Sequence, residues 1–135
     1  MSVTEPAAYV DASGLVKLIL VEPETTPLVR YLSRFSLFSN EIAITEVIRA
    51  VMRFRESWLD DALAVIDGLL LIPATGALLR SAGTLRPVGL RSLDAIHVAS
   101  ALSLGAELDV LVTYDVRMRG AAEHAGLHVE SPGAG

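Results

Sequence analysis

Apolar residues along this chain fall into short unbroken runs, separated by stretches whose apolar positions recur at helical spacing, and the two patterns alternate throughout. Ala7-Ala8-Tyr9-Val10, running into Asp11, predicts a first strand. Ser13 as an N-cap, followed by Leu15, Leu18 and Ile19, predicts a helix directly after it. Glu24-Thr25-Thr26-Pro27 opens a second helix, with Pro27 tolerated in the first turn and Leu28, Tyr31 and Leu32 on one face. A short strand at 37–39 leads into helices over 43–55 and 58–67, a strand at 69–72 stopped by Pro73, and a helix over 75–85. Ser92 is placed to cap a sixth helix reaching Leu104, with Gly105 as its left-handed stop. Ile96, Val98, Ala99, Ala101 and Leu102 leave that helix little polar face, so burial against a sheet is expected. A strand at 110–113, a helix capped by Asp115 and reaching Ala125, and a strand at 127–130 complete the pattern. The closing Ser131-Pro132-Gly133-Ala134-Gly135 is expected to fray.

Strands alternating with helices through short turns predict an α/β fold, a three-layer α/β/α sandwich around a mostly parallel sheet of four or five strands. The 135 residues suit one domain, 1–130, with 131–135 as a flexible tail. A hydrophobic content of 52% and a mean hydropathy of +0.49 fit a sheet covered on both faces, whose strands are apolar on both sides. The longest uncharged stretch, Gly68 to Leu79, is too short for a bilayer and contains a proline, so no membrane segment is expected. The chain has no cysteine, and its start lacks the basic residues and long apolar run of a secretory signal; both point to the cytoplasm.

A net charge of -5 argues by its sum against a nucleic-acid partner, but the distribution of charge matters more. Four acids sit beside apolar runs. Asp11 ends the first strand, Glu46 lies in Ile44-Thr45-Glu46-Val47-Ile48, Asp94 in Leu93-Asp94-Ala95-Ile96, and Asp115 follows Val110-Leu111-Val112-Thr113-Tyr114. Parallel sheets bind ligands outside the carboxyl ends of their strands, and Asp11 and Asp115 fall at such ends. Carboxylates gathered there repel one another unless a cation is present. Oxygen ligands without Cys or His companions select Mg²⁺ or Mn²⁺, and such ions activate water against a phosphodiester. Taken singly, Asp11 and Asp115 read more readily as turn residues or helix caps than as ligands. Ser13, two residues after Asp11, and Thr113, two before Asp115, put hydroxyls where they can steady a carboxylate, although Ser13 is also read as a cap.

Taken together, four segments resemble the PIN domain nucleases and, within them, the VapC-type toxins of bacterial toxin-antitoxin pairs. They are Val10-Asp11-Ala12-Ser13 with Leu15, Lys17 and Glu22; Thr45-Glu46 with Arg49; 90–99 from Leu90-Arg91-Ser92-Leu93-Asp94 to Ala99; and Val112-Thr113-Tyr114-Asp115. The resemblance implies an acidic pocket of Asp11, Glu46, Asp94 and Asp115 that binds Mg²⁺ or Mn²⁺, supported by Ser13 and Thr113. It further implies endonucleolytic cleavage of single-stranded RNA leaving a 5′-phosphate and a 3′-hydroxyl, a homodimer, and a small antitoxin covering the active-site groove. One departure is the lack of a further acid between Asp94 and Asp115 near the strand end, since Glu107 and Asp109 precede that strand. The number of ions is therefore left open.

Other residues carry two readings each. Arg49 and Arg53 share a helix face with Glu46 and either line an RNA path or form a solvated basic face. Arg91, Arg117 and Arg119 stand close to Asp94 and Asp115 and are candidates for phosphate contacts, which suit arginine's bidentate geometry. Lys17 is a phosphate contact or a snorkelling surface lysine, and His97 a ligand or proton shuttle or, more in keeping with its surroundings, a partly buried histidine bonded to a carboxylate or backbone group. Tyr31, Phe35, Phe38, Phe54 and Trp58 suit core packing or a partner groove better than base stacking. Two other function classes compete. A phosphoacceptor receiver domain needs paired acids after its first strand and a lysine after its last, and here there is one acid and the single Lys17. A non-catalytic PIN-like module that binds RNA or protein is the second.

Overall fold

The computed structural model describes residues 5–135. Within them, β1 (Ala7–Val10), α1 (Ala12–Lys17), α2 (Thr25–Leu32), β2 (Ser36–Asn40), α3 (Ile42–Phe54), α4 (Leu59–Asp67) and β3 (Leu70–Ile72) form the first half. The second half comprises α5 (Gly76–Gly83), α6 (Ser92–Ser103), β4 (Leu108–Val112), α7 (Val116–His124) and β5 (Val129–Glu130). The strands form one sheet in the order β3-β2-β1-β4-β5, and every pairing is parallel. The expected α/β/α sandwich is thus observed, with an all-parallel sheet of five strands.

Alternation along the strands decides which helix covers which face. Ala8 and Val10 of β1 and Val110 and Val112 of β4 face Leu15, Leu28, Val47, Val51 and Ala62, contributed by α1 to α4. Tyr9, Leu111 and Val129 face the other way, onto Val98 and Ala101 of α6 and Met118 and Ala122 of α7. Helix α5 lies outside α6, packed through Ala82, Ala95 and Ala99. Burial on both faces explains why β1 reads as a continuous apolar run, and each such Val or Leu contributes about 1.5–3 kcal/mol when fully buried.

The chain builds outward from β1 to β2 and β3 on one side, then returns to β4 and β5 on the other. The order therefore reverses between β1 and β4, and such a switch point opens a crevice at the carboxyl edge. Both strands deliver an acid there: Asp11 follows Val10, and Asp115 follows Val112 by three residues.

Several local expectations are corrected. Ser13 does not cap α1; the chain leaves β1 extended at Asp11, and the Asp11 carboxylate itself accepts from Gly14 N. Ser92 is likewise inside α6, whose cap residue is Arg91, held only by backbone bonding of Arg91 O to Ala95 N at 2.9 Å. Gly105 has the expected positive φ of 58°, but it opens a 3-10 turn, Gly105–Glu107, that leads into β4. The terminal segment expected to fray is tied down: Tyr114 Oη donates to Pro132 O at 2.6 Å, Arg119 Nη1 donates to Ser131 Oγ at 2.8 Å, and Gly133 packs on Pro27. No helix among the described residues is long and apolar enough to cross a membrane.

Gly14 marks the tightest approach of α1 to the sheet, since a Cβ there would meet Val10 Cγ1 at 2.7 Å. Val10 is buried and β-branched, so it has little freedom to yield. Gly14→Ala is expected to destabilise the fold by about 1–3 kcal/mol, read as a lower urea midpoint at unchanged slope.

Candidate active site

The carboxyl edge between β1 and β4 is organised around Asp11, which is only 3% exposed. Its Oδ1 accepts from Ser13 Oγ at 2.7 Å and from Gly14 N at 3.1 Å, and its Oδ2 accepts from Thr113 Oγ1 at 2.7 Å. The two hydroxyls are themselves fixed: Ser13 Oγ accepts from Tyr114 N at 3.0 Å, and Thr113 Oγ1 from Asp115 N at 3.1 Å. Ser13 and Thr113 thus hold the Asp11 carboxylate and splice α1 to the turn after β4. Burial pushes the Asp11 carboxyl above its ordinary range, opposed by the nearby His97 and by the Ser13, Thr113 and Gly14 donors.

A second pair of acids lies on the neighbouring helices. Asp94, in the first turn of α6, and Asp115, the cap of α7, are joined by one guanidinium. Arg91 Nε lies 3.6 Å from Asp94 Oδ2, and Arg91 Nη2 lies 3.8 Å from Asp115 Oδ2. Asp115 Oδ1 is occupied by Met118 N at 2.9 Å, so the capping role and a place at this edge coexist. Asp94 Oδ2, in contrast, is buried with no hydrogen-bond partner. Burial first, and then the Asp115 charge, push the Asp94 carboxyl above its ordinary range, with Arg91 pulling the other way.

Glu46 reaches the same edge from α3. Its Oε1 lies 2.7 Å from Nε2 of His97, which is 1% exposed and lies one turn after Asp94 on α6. His97 Nδ1 lies 2.7 Å from Tyr9 Oη, so a chain of three side chains runs from β1 through α6 to α3. Burial raises the Tyr9 phenol, which keeps its proton. The buried, carboxylate-bonded histidine is the form the sequence favoured for His97. Tyr9 was missed as a site residue; a tyrosine inside a fully apolar strand was the available signal, because its hydroxyl needs a buried partner.

The basic candidates separate by their surroundings. Arg49 and Arg53 lie beside Glu46 and Ser13 in a groove of about 550 Å³ whose wall also includes Tyr114 and Lys17. Lys17 is held by Glu22 at 3.0 Å and Glu24 at 3.3 Å, with its ammonium 4.8 Å from the Tyr114 ring centroid. Arg117 is exposed on α7. Arg119, expected near a phosphate, spends its guanidinium on Ser131 Oγ and Val129 O, which anchors the last strand. Of the aromatics, Phe54 is 65% exposed, whereas Tyr31, Phe35 and Trp58 pack against the core and Phe38 against its opposite face.

A hard divalent cation suits these donors in chemistry: they are all oxygens, and Asp94 offers one that is buried with no hydrogen bond. Among the described residues no three acidic or histidine side chains converge closely enough to hold an ion as they stand.

Comparison with known proteins places this edge in context. The family model described as PIN domain matches residues 8–124, which takes in all four acids. The chain belongs to the PIN domain family. Ribonuclease VapC46 of Mycobacterium tuberculosis is 42% identical over 127 residues, spanning 93% of this chain and 98% of that protein. Ribonuclease VapC47 of the same species is 38% identical over 132 residues, 93% of this chain and 97% of its own. Among solved structures, VapBC2 from Rickettsia felis, crystallised with a DNA fragment from its promoter, matches with a TM-score of 0.65 at 15% identity, covering 92% of this chain and 97% of that one. PAE2754 from Pyrobaculum aerophilum matches with a TM-score of 0.59 at 18% identity, over 92% and 83% of the two chains. At those identities the two structures speak for the PIN fold alone.

Two outcomes follow for this PIN domain. An acid whose folded-state pKa is raised penalises the fold once ionised; the penalty is full above the folded pKa, shrinks as pH falls through it, and is gone below the unfolded pKa. Asp94→Asn is therefore expected to raise the melting temperature by roughly 2–4 °C at pH 7.5 in chelator, with the gain fading on acidification. Thr113→Val should act in the opposite sense, costing about 1–3 kcal/mol in the same melts, because it strips the donor from buried Asp11 Oδ2 and the acceptor from Asp115 N.

Proposed function

We propose that this PIN domain protein is a Mg²⁺-dependent endoribonuclease that cuts single-stranded RNA and acts as the toxin of a VapBC-type pair. Its relatives named ribonuclease VapC, at about 40% identity across nearly the whole chain, support the ribonuclease activity. The observation that carries the site assignment is Asp94 Oδ2, buried with no hydrogen bond and only a 3.6 Å ion pair to exposed Arg91, beside the like charge of Asp115 at the β1/β4 crevice. A protein tolerates such an oxygen where a cation is meant to meet it.

Asp11, Glu46, Asp94 and Asp115 would hold Mg²⁺, with Mn²⁺ able to replace it. A bound divalent ion supplies Lewis acidity, polarising the phosphodiester and making water a stronger nucleophile. The protein's own residues do the rest. Ser13 and Thr113 fix both oxygens of Asp11, so that acid approaches a ligand in one orientation. Arg49, together with Arg53 in the groove beside Glu46, and the exposed Arg91 and Arg117 meet RNA phosphates, which explains how a chain of net charge -5 handles a polyanion. Arg91 releases Asp94 and Asp115 as it does so. A small antitoxin covering the groove would restrain the enzyme, the working unit is a homodimer, and the compartment is the cytoplasm.

The test is cleavage of single-stranded RNA by purified protein in Mg²⁺, Mn²⁺ or chelator, alongside Asp11→Asn and Asp94→Asn. Cleavage should require the divalent ion, leave 5′-phosphate ends and fall by roughly 10²-fold or more in each variant. Cutting that survives both substitutions would place the chemistry elsewhere. Metal-independent RNA binding without cutting would favour a non-catalytic binding module, the reading consistent with acids that do not converge as they stand.

A further inference from the structure

Glu46 is delivered from α3, on the α1–α4 side of the sheet, whereas Asp94 and Asp115 come from α6 and α7 on the other. Something must hold α3 and α6 in register across the carboxyl edge if the two sides are to serve one ligand. Direct packing between α3 and α6 is slight beside the packing each makes within its own layer. Among the described residues, the polar side-chain contact made directly between the two helices is Glu46 Oε1 to His97 Nε2 at 2.7 Å, while Asn40 ties the start of α3 to the last turn of α6, accepting from Ile42 N at 3.0 Å and donating to Ser100 Oγ at 2.9 Å.

The protonation pattern of this contact can be argued from its partners. An ionised carboxylate only accepts, so His97 Nε2 carries the hydrogen. His97 Nδ1 pairs with Tyr9 Oη, 2.7 Å away, as an acceptor in one form of the ring and as a donor in the other, so the contact holds the ring in either case. Tyr9 is wholly buried in the middle of the sheet, on the strand that ends in Asp11, and its ring meets the imidazole edge-on at 5.8 Å between centroids. The tilt of His97 is therefore set from the buried middle of the sheet. At 1% exposure the imidazole lies behind Glu46 and does not itself face solvent, so it is placed to hold that acid. Glu46 is left 24% exposed on its side chain, with Oε2 unbonded among the described residues and turned to a ligand's use.

We propose that Tyr9 and His97 are positioning residues that fix the Glu46 carboxylate, and so determine its affinity for a divalent cation. Outer partners of metal-binding carboxylates typically affect affinity or activity by 10–100-fold. This rests on the nuclease reading above, and it adds two residues that neither touch substrate nor stand among the acids. It also accounts for His97 without giving the ring a chemical step.

The experiment titrates Mn²⁺ by the EPR signal of the free ion, in the absence of RNA, and measures RNA cleavage in parallel. The proteins are wild type, Tyr9→Phe, His97→Gln, His97→Leu, Glu46→Gln and the double variant Tyr9→Phe/Glu46→Gln. Tyr9→Phe, which removes one hydroxyl, should weaken Mn²⁺ about 10-fold; His97→Leu should weaken it more, and His97→Gln, whose amide keeps a donor near Nε2, less. In the Glu46→Gln background Tyr9→Phe should add almost nothing, because its effect passes through Glu46, whereas a purely structural role would add in full. If His97→Leu fails to fold, Tyr9→Phe and the double variant decide the matter. A folded Tyr9→Phe with wild-type affinity, or one whose loss is additive with Glu46→Gln, overturns the positioning role. Wild type that neither binds Mn²⁺ nor cuts RNA overturns the nuclease reading itself, and the two failures are thereby told apart.

Discussion

A carboxylate buried where two parallel strands part company is the constraint around which this molecule is built. Asp11 sits at 3% exposure on the seam between β1 and β4, and an isolated charge there would be untenable. It persists because the chain brings three donors to it: Gly14 N from the first turn of α1, Ser13 Oγ from the same turn, and Thr113 Oγ1 from a hundred residues away. Each donor costs the fold some freedom. Gly14 has to lack a Cβ, the Ser13 and Thr113 hydroxyls have to be held by the backbone of the 114–115 turn, and the turn in turn orients Asp115 as a cap. One buried charge thus couples the start of α1, the end of β4 and the start of α7.

The other acids are held by weaker means, in a graded way. Glu46 hangs on a single bond to a buried histidine, and Asp94 and Asp115 share one guanidinium that is 69% exposed and neither closer than 3.6 Å. Exposed ion pairs of that length add little to stability. The edge therefore combines one rigid anchor with partners that can rearrange around it, which suits a site whose ligands bring their own charge. It also explains how the four acids share an edge without any three of them closing on a point among the described residues.

How far the chain could be read beforehand follows from the same physics. Strands β1 and β4 were legible because burial on both faces forces continuous apolar runs, and helices α2 and α3 because their periodicity is plain. The four acids stood out because each interrupts or ends such a run. Caps were misread at Ser13 and Ser92 because a hydroxyl's preference for a cap is local, whereas the choice is made by where the preceding strand or loop leaves the backbone extended, at Asp11 and Arg91. Arg119 shows what sequence proximity omits: read beside Asp115 as a phosphate contact, its guanidinium also bonds to Ser131 Oγ and Val129 O at the last strand. The hydroxyl of Tyr9 signalled that a buried partner was needed, but the Tyr9–His97 and Glu46–His97 pairings themselves were invisible because they join residues 88 and 51 positions apart. No local pattern records such a pairing.

The end of the chain carries a practical consequence. Ser131 is held by Arg119 and Pro132 by Tyr114, while Gly133, at a φ of 81°, lies against Pro27 with no room for a side chain. Gly135 and Asp115 share the wall of a cavity of about 330 Å³. A peptide joined after Gly135 would thus leave the fold at the rim of the acidic edge, so an affinity handle or fluorophore attached there is a steric neighbour of Asp115 and not a remote passenger.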